Sequence, residues 1–206
     1  MSDILIRQGS EEDMKTLRHD REVIASGHII TYCHDHLTTP KGHEDVYDMI
    51  LHPGAAAVLP VLDDGRIVMV RQYRNALDRF TLEIPAGGLD HEGEPAKEAA
   101  LRELREECGL EAGEVTFLLS VCPVVAYGNE KIDIFAARSL RKTDRDLDED
   151  EAINVEAWSI DELADLIYSG KLNDAKTCAA VMAYSHALHS GHNIFGLKDN
   201  YVNIID

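Results

Sequence analysis

Gly87-Gly88-Leu89-Asp90-His91-Glu92-Gly93-Glu94-Pro95-Ala96-Lys97-Glu98-Ala99-Ala100-Leu101-Arg102-Glu103-Leu104-Arg105-Glu106-Glu107-Cys108-Gly109-Leu110 is a glycine-rich loop running into a short helix crowded with carboxylates. Pro95 suits the first helical position, where the missing N–H has no intrahelical partner to lose, and Gly109 stops the helix. At about 100° per residue, Glu103, Glu106 and Glu107 fall within one arc, while Ala100, Leu101, Leu104 and Cys108 fall on the adjacent one. The spacing predicts a helix with one packed side and one coordinating side. Clustered carboxylates repel one another, so hard divalent cations, which take oxygen ligands, are natural occupants of such an arc: magnesium first, with manganese able to substitute. A solvated face laced by Glu98–Arg102 and Arg102–Glu106 pairs is the other reading of the same charges.

Upstream of this stretch, Ala55 to Leu62 is an apolar run, Asp63-Asp64-Gly65 signals a β-hairpin, and Arg66 to Arg74 follows as its second, buried strand. Phe80 to Ile84 is a further short strand, which Pro85-Ala86-Gly87-Gly88 breaks into the loop. Before it, Glu22 to Ala25, His28 to Cys33 and Asp45 to Leu51 alternate in the manner of a small antiparallel β unit. His34 and His36 share one side of a strand there, but no third nearby ligand accompanies them. Downstream, Val115 to Val121, Lys131 to Ala137 and Ile153 to Trp158 are strand candidates. Lys142 to Glu151 is an acidic connection, and Ile160 to Ser169 and Asp174 to His189 have helical spacing. Strands interleaved with and followed by helices predict a layered α/β class, with residues 1–50 as an N-terminal antiparallel β extension and 51–206 as the main domain.

The 206 residues suffice for one substantial core, since domains commonly run to roughly 100–200 residues. A formal net charge of −18 opposes a nucleic-acid or anionic-membrane partner, whose affinity comes from clustered Lys and Arg. An anionic small molecule stays compatible if arginines or a divalent metal neutralise it locally. The four cysteines, Cys33, Cys108, Cys122 and Cys178, contain no CxxC pair, which predicts neither a zinc site nor a disulfide framework and points to a reducing, cytoplasmic setting. Neither a signal peptide nor a run of about 18 apolar residues is present in the sequence, so the chain is expected to be soluble.

Gly88, Glu94, Arg102, Glu103, Leu104, Glu106, Glu107, Gly109 and Leu110 resemble, without a gap, the sequence box of the Nudix hydrolases. That resemblance implies an α/β/α sandwich with a mixed sheet and a metal-dependent hydrolase of nucleoside diphosphates linked to another moiety. It further implies that Glu103 and Glu107 ligate metal with Glu106 assisting, and that Arg102 orients a carboxylate. Glu94 is read as a partner at the helix start rather than as the base.

The segment from His52 through Val70-Arg71-Gln72-Tyr73-Arg74 to Leu82-Glu83-Ile84-Pro85-Ala86-Gly87 resembles the ADP-ribose pyrophosphatase branch of that family. The resemblance implies that Arg74 contacts substrate phosphates, with Arg71 and Arg79 as weaker candidates. A backbone carbonyl at Ala86, or at Gly87 given the doubled glycine, completes the metal shell. It places the catalytic base in the acidic connection, at Glu151 or Glu149, and substrate contacts at Gly128 and Glu130. It also implies a homodimer formed through the N-terminal extension. One departure bears on specificity: Pro123 matches the first proline of the branch's Pro-x-Pro-Gly stretch, but Val125 replaces the second. The expected reaction is hydrolysis of ADP-ribose to AMP and ribose 5-phosphate. GDP-mannose or another nucleoside diphosphate sugar is the alternative substrate, and a non-catalytic ADP-ribose sensor is the alternative of another class.

Overall fold

Ala55–Pro60 is apolar throughout, and a strand without a polar face has to be covered on both sides. It forms β4 inside a four-stranded sheet of the computed structural model, which describes residues 10–89, 91, 93–145 and 152–196 of the chain. The chain divides into two units, Met1–Pro53 with Val124–Glu130 and Gly54–Pro123 with Lys131–Asp206.

In the first unit a short helix, α1 (Glu11–Met14), precedes β1 (Leu17–Ser26), β2 (Thr31–Thr38) and β3 (Glu44–Leu51), an antiparallel sheet in that order. Cys33, Asp35 and Leu37 alternate along the buried face of β2. The buried Asp35 carboxylate is gripped by Arg21 through Nε (2.5 Å) and Nη2 (2.6 Å), which holds its pKa below the usual range. The strand predicted from His28 starts only at Thr31, because Gly27 N–H donates to Ile30 O (2.8 Å) and closes a turn over those residues. His34 meets the Tyr32 hydroxyl (2.9 Å) and His36 faces Glu22 (3.6 Å), so the two imidazoles have separate partners.

In the second unit β4 lies antiparallel to β7 (Ala86–Gly88) and parallel to β9 (Ile132–Lys142), which pairs with β8 (Leu110–Val121). A separate antiparallel sheet has the order β10 (Asn154–Trp158), β5 (Ile67–Arg74), β6 (Arg79–Glu83). Here the structure corrects the sequence reading. The Asp63–Gly65 turn forms, with Leu62 N–H donating to Arg66 O (2.8 Å), but only a Val61–Ile67 bridge follows it before β4 and β5 diverge into different sheets. Pro60 lacks the N–H that a longer ladder would use, and β4 already has a partner on each edge.

Helix α2 (Ala96–Cys108) packs Ala99, Ala100 and Leu104 on Ala56 and Val58 of β4 and on Phe135 and Ala137 of β9. Pro95 is extended (ψ 141°) and stands just outside the helix as its N-cap, not at its first position as the sequence predicts. Gly109, at φ +64°, ends it, a conformation that a Cβ would oppose. The opposite side of the unit is closed by α3 (Ile160–Tyr168), which has a Ser159–Glu162 capping box, and α4 (Ala175–Ser190), capped by Asp174. Leu163, Ala180, Val181, Tyr184 and Ala187 from these helices pack with Ala57, Leu59, Met69, Ile84 and Ile134. The result is a mixed α/β/α arrangement, as the sequence predicts.

Candidate active site

The acidic arc of α2 is not a solvated face. Glu103 and Glu107, one helical turn apart, are both buried, at 9% and 2% exposure, whereas the Glu106 side chain is about a third exposed. The arc of carboxylates is therefore itself packed, with Glu103 and Glu107 buried as Leu104 is. What admits them is β7. A Cβ built on Gly87 would stand 2.0 Å from Glu103 Oε1 and 2.3 Å from Cδ, so the Glu103 carboxylate occupies space that any other residue would fill. Next to it, Ala86 N–H donates to Glu107 Oε2 (3.1 Å), which ties the second carboxylate to the same strand.

Arg102 organises the outer part of the site. Its Nη1 donates to Glu103 Oε1 (2.7 Å) and Glu106 Oε2 (2.8 Å), its Nε to Glu94 Oε1 (3.2 Å), and its Nη2 to Gly88 O (3.3 Å). Burial works against its charge, but the bonds to Glu94, Glu106 and Glu103 and the attraction of Glu103 prevail, and its pKa rises above the ordinary arginine value. Glu94 is thus a partner of Arg102 at the start of the helix. The Glu107 carbonyl accepts from Arg145 Nε (2.5 Å), whose Nη2 donates to Ile153 O (2.8 Å).

Among the described residues, no three His, Cys, Asp or Glu side chains already enclose a metal-sized point. The donor set nevertheless suits a hard cation. Glu103 and Glu107 project from one turn of α2 toward the backbone of Ala86 and Gly87, their oxygens are hard donors, and like charges so placed are stabilised by a positive ion between them.

Arg74, at the end of β5, forms a two-pronged pair with Glu83 of β6 (Nε–Oε1 2.8 Å, Nη2–Oε2 2.7 Å). Glu83 raises the Arg74 pKa against burial, and Glu107 of α2 and Asp174 add to the pull. Arg71, on the other face of β5 by strand alternation, is instead paired with Glu156 of β10 (Nε–Oε1 2.5 Å). Arg79 donates to Asn173 Oδ1 (2.7 Å). Gly128 and Glu130 belong to the other unit. Glu149 and Glu151 lie outside the described residues.

Several residues at the site have no sequence-based assignment. Glu83, Lys176, Asp174 and Thr177 form one connected cluster: Lys176 Nζ donates to Glu83 Oε2 (2.5 Å) and Asp174 Oδ2 (3.0 Å), and Ile84 N–H donates to Thr177 Oγ1 (3.0 Å). The available signals were a carboxylate inside the apolar strand Phe80–Ile84 and a lysine on the buried side of α4.

This arrangement, buried carboxylates on a helix facing a glycine-containing strand with an arginine network around them, coincides with a family match. Residues 51–180 match the NUDIX domain family. The chain belongs to that family and is a Nudix hydrolase. It is 37% identical over 163 residues to the ADP-ribose pyrophosphatase of Bacillus subtilis (strain 168), covering 78% of this chain and 88% of that one. Over 162 residues it is 36% identical to the methanol dehydrogenase activator of Bacillus methanolicus, covering 78% and 87%. The crystal structure of an ADP compounds hydrolase superposes with a TM-score of 0.76 at 26% identity, covering 86% of this chain and 97% of that chain. Among the described residues no helix is long and apolar enough to cross a membrane.

Proposed function

We propose that this protein hydrolyses the diphosphate of a nucleoside diphosphate sugar, with ADP-ribose as the substrate and AMP and ribose 5-phosphate as products, in a reaction that requires magnesium or manganese. The observation that carries the reading is the buried pair Glu103 and Glu107 held against Ala86–Gly87, one helical turn apart. The name of the Bacillus subtilis relative, at 37% identity, supports the choice of substrate.

Glu103, Glu107 and a carbonyl of Ala86 or Gly87 would hold the metal, with Glu106 assisting. When bound, a divalent cation offsets the diphosphate charge, polarises the phosphorus and eases deprotonation of water. Arg102 holds Glu103 and Glu106 in place through its Nη1, a charge-assisted contact that fixes both carboxylates. Arg74, oriented by Glu83, binds a phosphate oxygen. Glu151, with Glu149 as the next candidate, takes a proton from the attacking water as its oxygen bonds to phosphorus. The anhydride P–O bond breaks, and the departing phosphate leaves as a monoester.

A second substrate reading rests on Val125, which replaces the second proline of the branch pattern: another sugar, GDP-mannose among them, would undergo the same chemistry. The non-catalytic sensor is disfavoured because Glu103, Glu106 and Glu107 are all present. We further propose a homodimer formed through the N-terminal β unit, acting in the cytoplasm, which accords with cysteines that form no disulfide among the described residues.

The deciding experiment is a magnesium-dependent hydrolysis panel of ADP-ribose, GDP-mannose, UDP-glucose, diadenosine polyphosphates and NADH, with products identified after reaction in oxygen-18 water. Preference for ADP-ribose supports the reading; a higher kcat/KM for any other member overturns the substrate assignment, and no turnover of any member overturns the enzyme reading.

A further inference from the structure

Glu83 is 3% exposed, yet it accepts four hydrogen bonds: two from Arg74, one from Thr81 Oγ1 (2.6 Å) and one from Lys176 Nζ (2.5 Å). A carboxylate offers about four lone-pair directions, so this one is saturated and cannot turn without breaking several bonds at once. Two cations meet one carboxylate here, and Asp174 supplies the second negative charge by accepting from Lys176 Nζ (3.0 Å). Asp174 is also the N-cap of α4, accepting from Thr177 N–H (3.1 Å) and from Thr177 Oγ1 (2.5 Å). The first turn of α4 is thereby bound twice at the end of β6, by Lys176 at Glu83 and by Thr177 at Ile84, the residue that follows the strand.

Of the four charged groups, Arg74 is the one that opens outward. Its side chain is 41% exposed, against 4% for Glu83 and 10% for Lys176, and all three line a cavity of about 440 Å³ with Arg79, Asn173 and Asp174. The Nε and Nη2 edge of Arg74 is committed to Glu83, so an incoming anion meets the Nη1 side in a direction that Glu83 dictates. Burial alone would push the Glu83 pKa up, but Arg74 and Lys176 hold it at about 2, so the carboxylate remains charged at any working pH.

We propose that Lys176 is a positioning residue for substrate binding: it pins the Glu83 carboxylate from the α4 side so that Arg74 presents Nη1 to a substrate phosphate. The inference rests on the reading of Arg74 given above. Without the ammonium, Glu83 loses one of its two cations and a quarter of its hydrogen bonds, and the Arg74–Glu83 pair is free to reorient. Lys176 touches no reacting atom, so its removal acts on binding of the charged substrate and not on the chemical step.

The test compares Lys176→Met, Lys176→Gln, Lys176→Arg, Arg74→Ala and the Lys176→Met/Arg74→Ala double variant in steady-state hydrolysis of ADP-ribose, with thermal melting of each as a check on folding. Lys176→Met is expected to raise KM about tenfold with kcat changed by less than about threefold, and Lys176→Arg to recover most of the loss. In the double variant the KM effects should fall well short of multiplying, because both residues act through one contact. Lys176→Gln, one atom shorter and with a neutral donor, carries the same test if Lys176→Met does not fold. An unchanged KM in the lysine variants beside a raised KM in Arg74→Ala overturns the role of Lys176 and leaves that of Arg74 standing. Fully multiplicative effects also overturn it. An unchanged KM in Arg74→Ala removes the phosphate contact itself, and the inference with it.

Discussion

The Glu103 carboxylate lies where the side chain of residue 87 would be: a Cβ on Gly87 would stand 2.0 Å from its Oε1. A helix residue and a strand residue therefore share one volume, and the glycine sets how closely the acidic helix can approach β7.

Gly87→Ala follows directly from this relationship. The methyl group meets the far end of the Glu103 side chain, so the backbone can stay in place while the carboxylate moves and gives up its contact with Arg102 Nη1 at 2.7 Å. Glu103 must swing out of register with Glu107, and misplacement on the order of 1 Å at a reacting site costs about a hundredfold in rate. We expect kcat for ADP-ribose to fall by about that factor with a melting temperature within a few degrees of wild type. Wild-type turnover in Gly87→Ala would mean that the Glu103 position does not matter to the chemistry.

The carboxylates of α2 should differ in importance according to their burial. Glu103→Gln and Glu107→Gln are expected to lose more than about a hundredfold in kcat and to weaken manganese binding followed by titration calorimetry, because each neutralises a buried oxygen donor. Glu106→Gln should lose less, since its side chain is about a third exposed and its contact with Arg102 survives as a neutral hydrogen bond. Chelation should abolish turnover and added magnesium restore it. Equal losses in all three variants would refute this ranking.

The acid stability of the fold should depend on Glu83. Its folded pKa, about 2, lies below the ordinary value of 4.5, so the unfolded chain binds the proton more readily between those values. The stabilisation is complete above about pH 4.5 and is lost as pH falls toward 2; at about 1.4 kcal/mol per pKa unit it amounts to about 3 kcal/mol. Urea unfolding at pH 6, 4 and 3 should show a steeper loss in wild type than in Glu83→Gln. That variant should also be less stable by about 3–5 kcal/mol at pH 6, because Arg74 and Lys176 then face each other without a counter-charge. Parallel pH profiles for the two proteins would rule out the linkage.

The sequence made part of this site readable because helical spacing is local: Glu103 and Glu107 are four residues apart, and Gly109 marks where their helix ends. The burial of both carboxylates was hidden because it depends on Gly87, a strand away. Lys176 and Glu83 stand 93 positions apart and meet only because the first turn of α4 reaches the end of β6, a contact that no periodicity encodes. The same limit explains the false hairpin. Asp63-Asp64-Gly65 specifies a turn, but whether the flanking strands pair is decided by β7 and β9, which take both edges of β4. By contrast, α3 and α4 were legible because the helical spacing of their apolar residues is local, and the structure adds the caps that start them, Ser159 with Glu162 and Asp174.

Arg145 offers a test of how α2 is coupled to the acidic connection. Its Nε donates to the Glu107 carbonyl and its Nη2 to the Ile153 carbonyl, so one guanidinium joins the last turn of α2 to the chain just before β10. The last carbonyls of a helix have no intrahelical donor, and an arginine that supplies one both caps the helix and fixes its end. Residues 145 and 153 also bracket the stretch in which the catalytic base, Glu151 or Glu149, is proposed. Arg145→Ala should therefore lower kcat more than it raises KM and cost about 1–3 kcal/mol in stability, through two buried acceptors that lose a charged donor. Arg145→Lys, able to reach one carbonyl but not both in the same plane, should recover only part of the rate. A stability loss with an unchanged kcat would reduce Arg145 to a helix cap and separate the end of α2 from the step in which the water proton is removed.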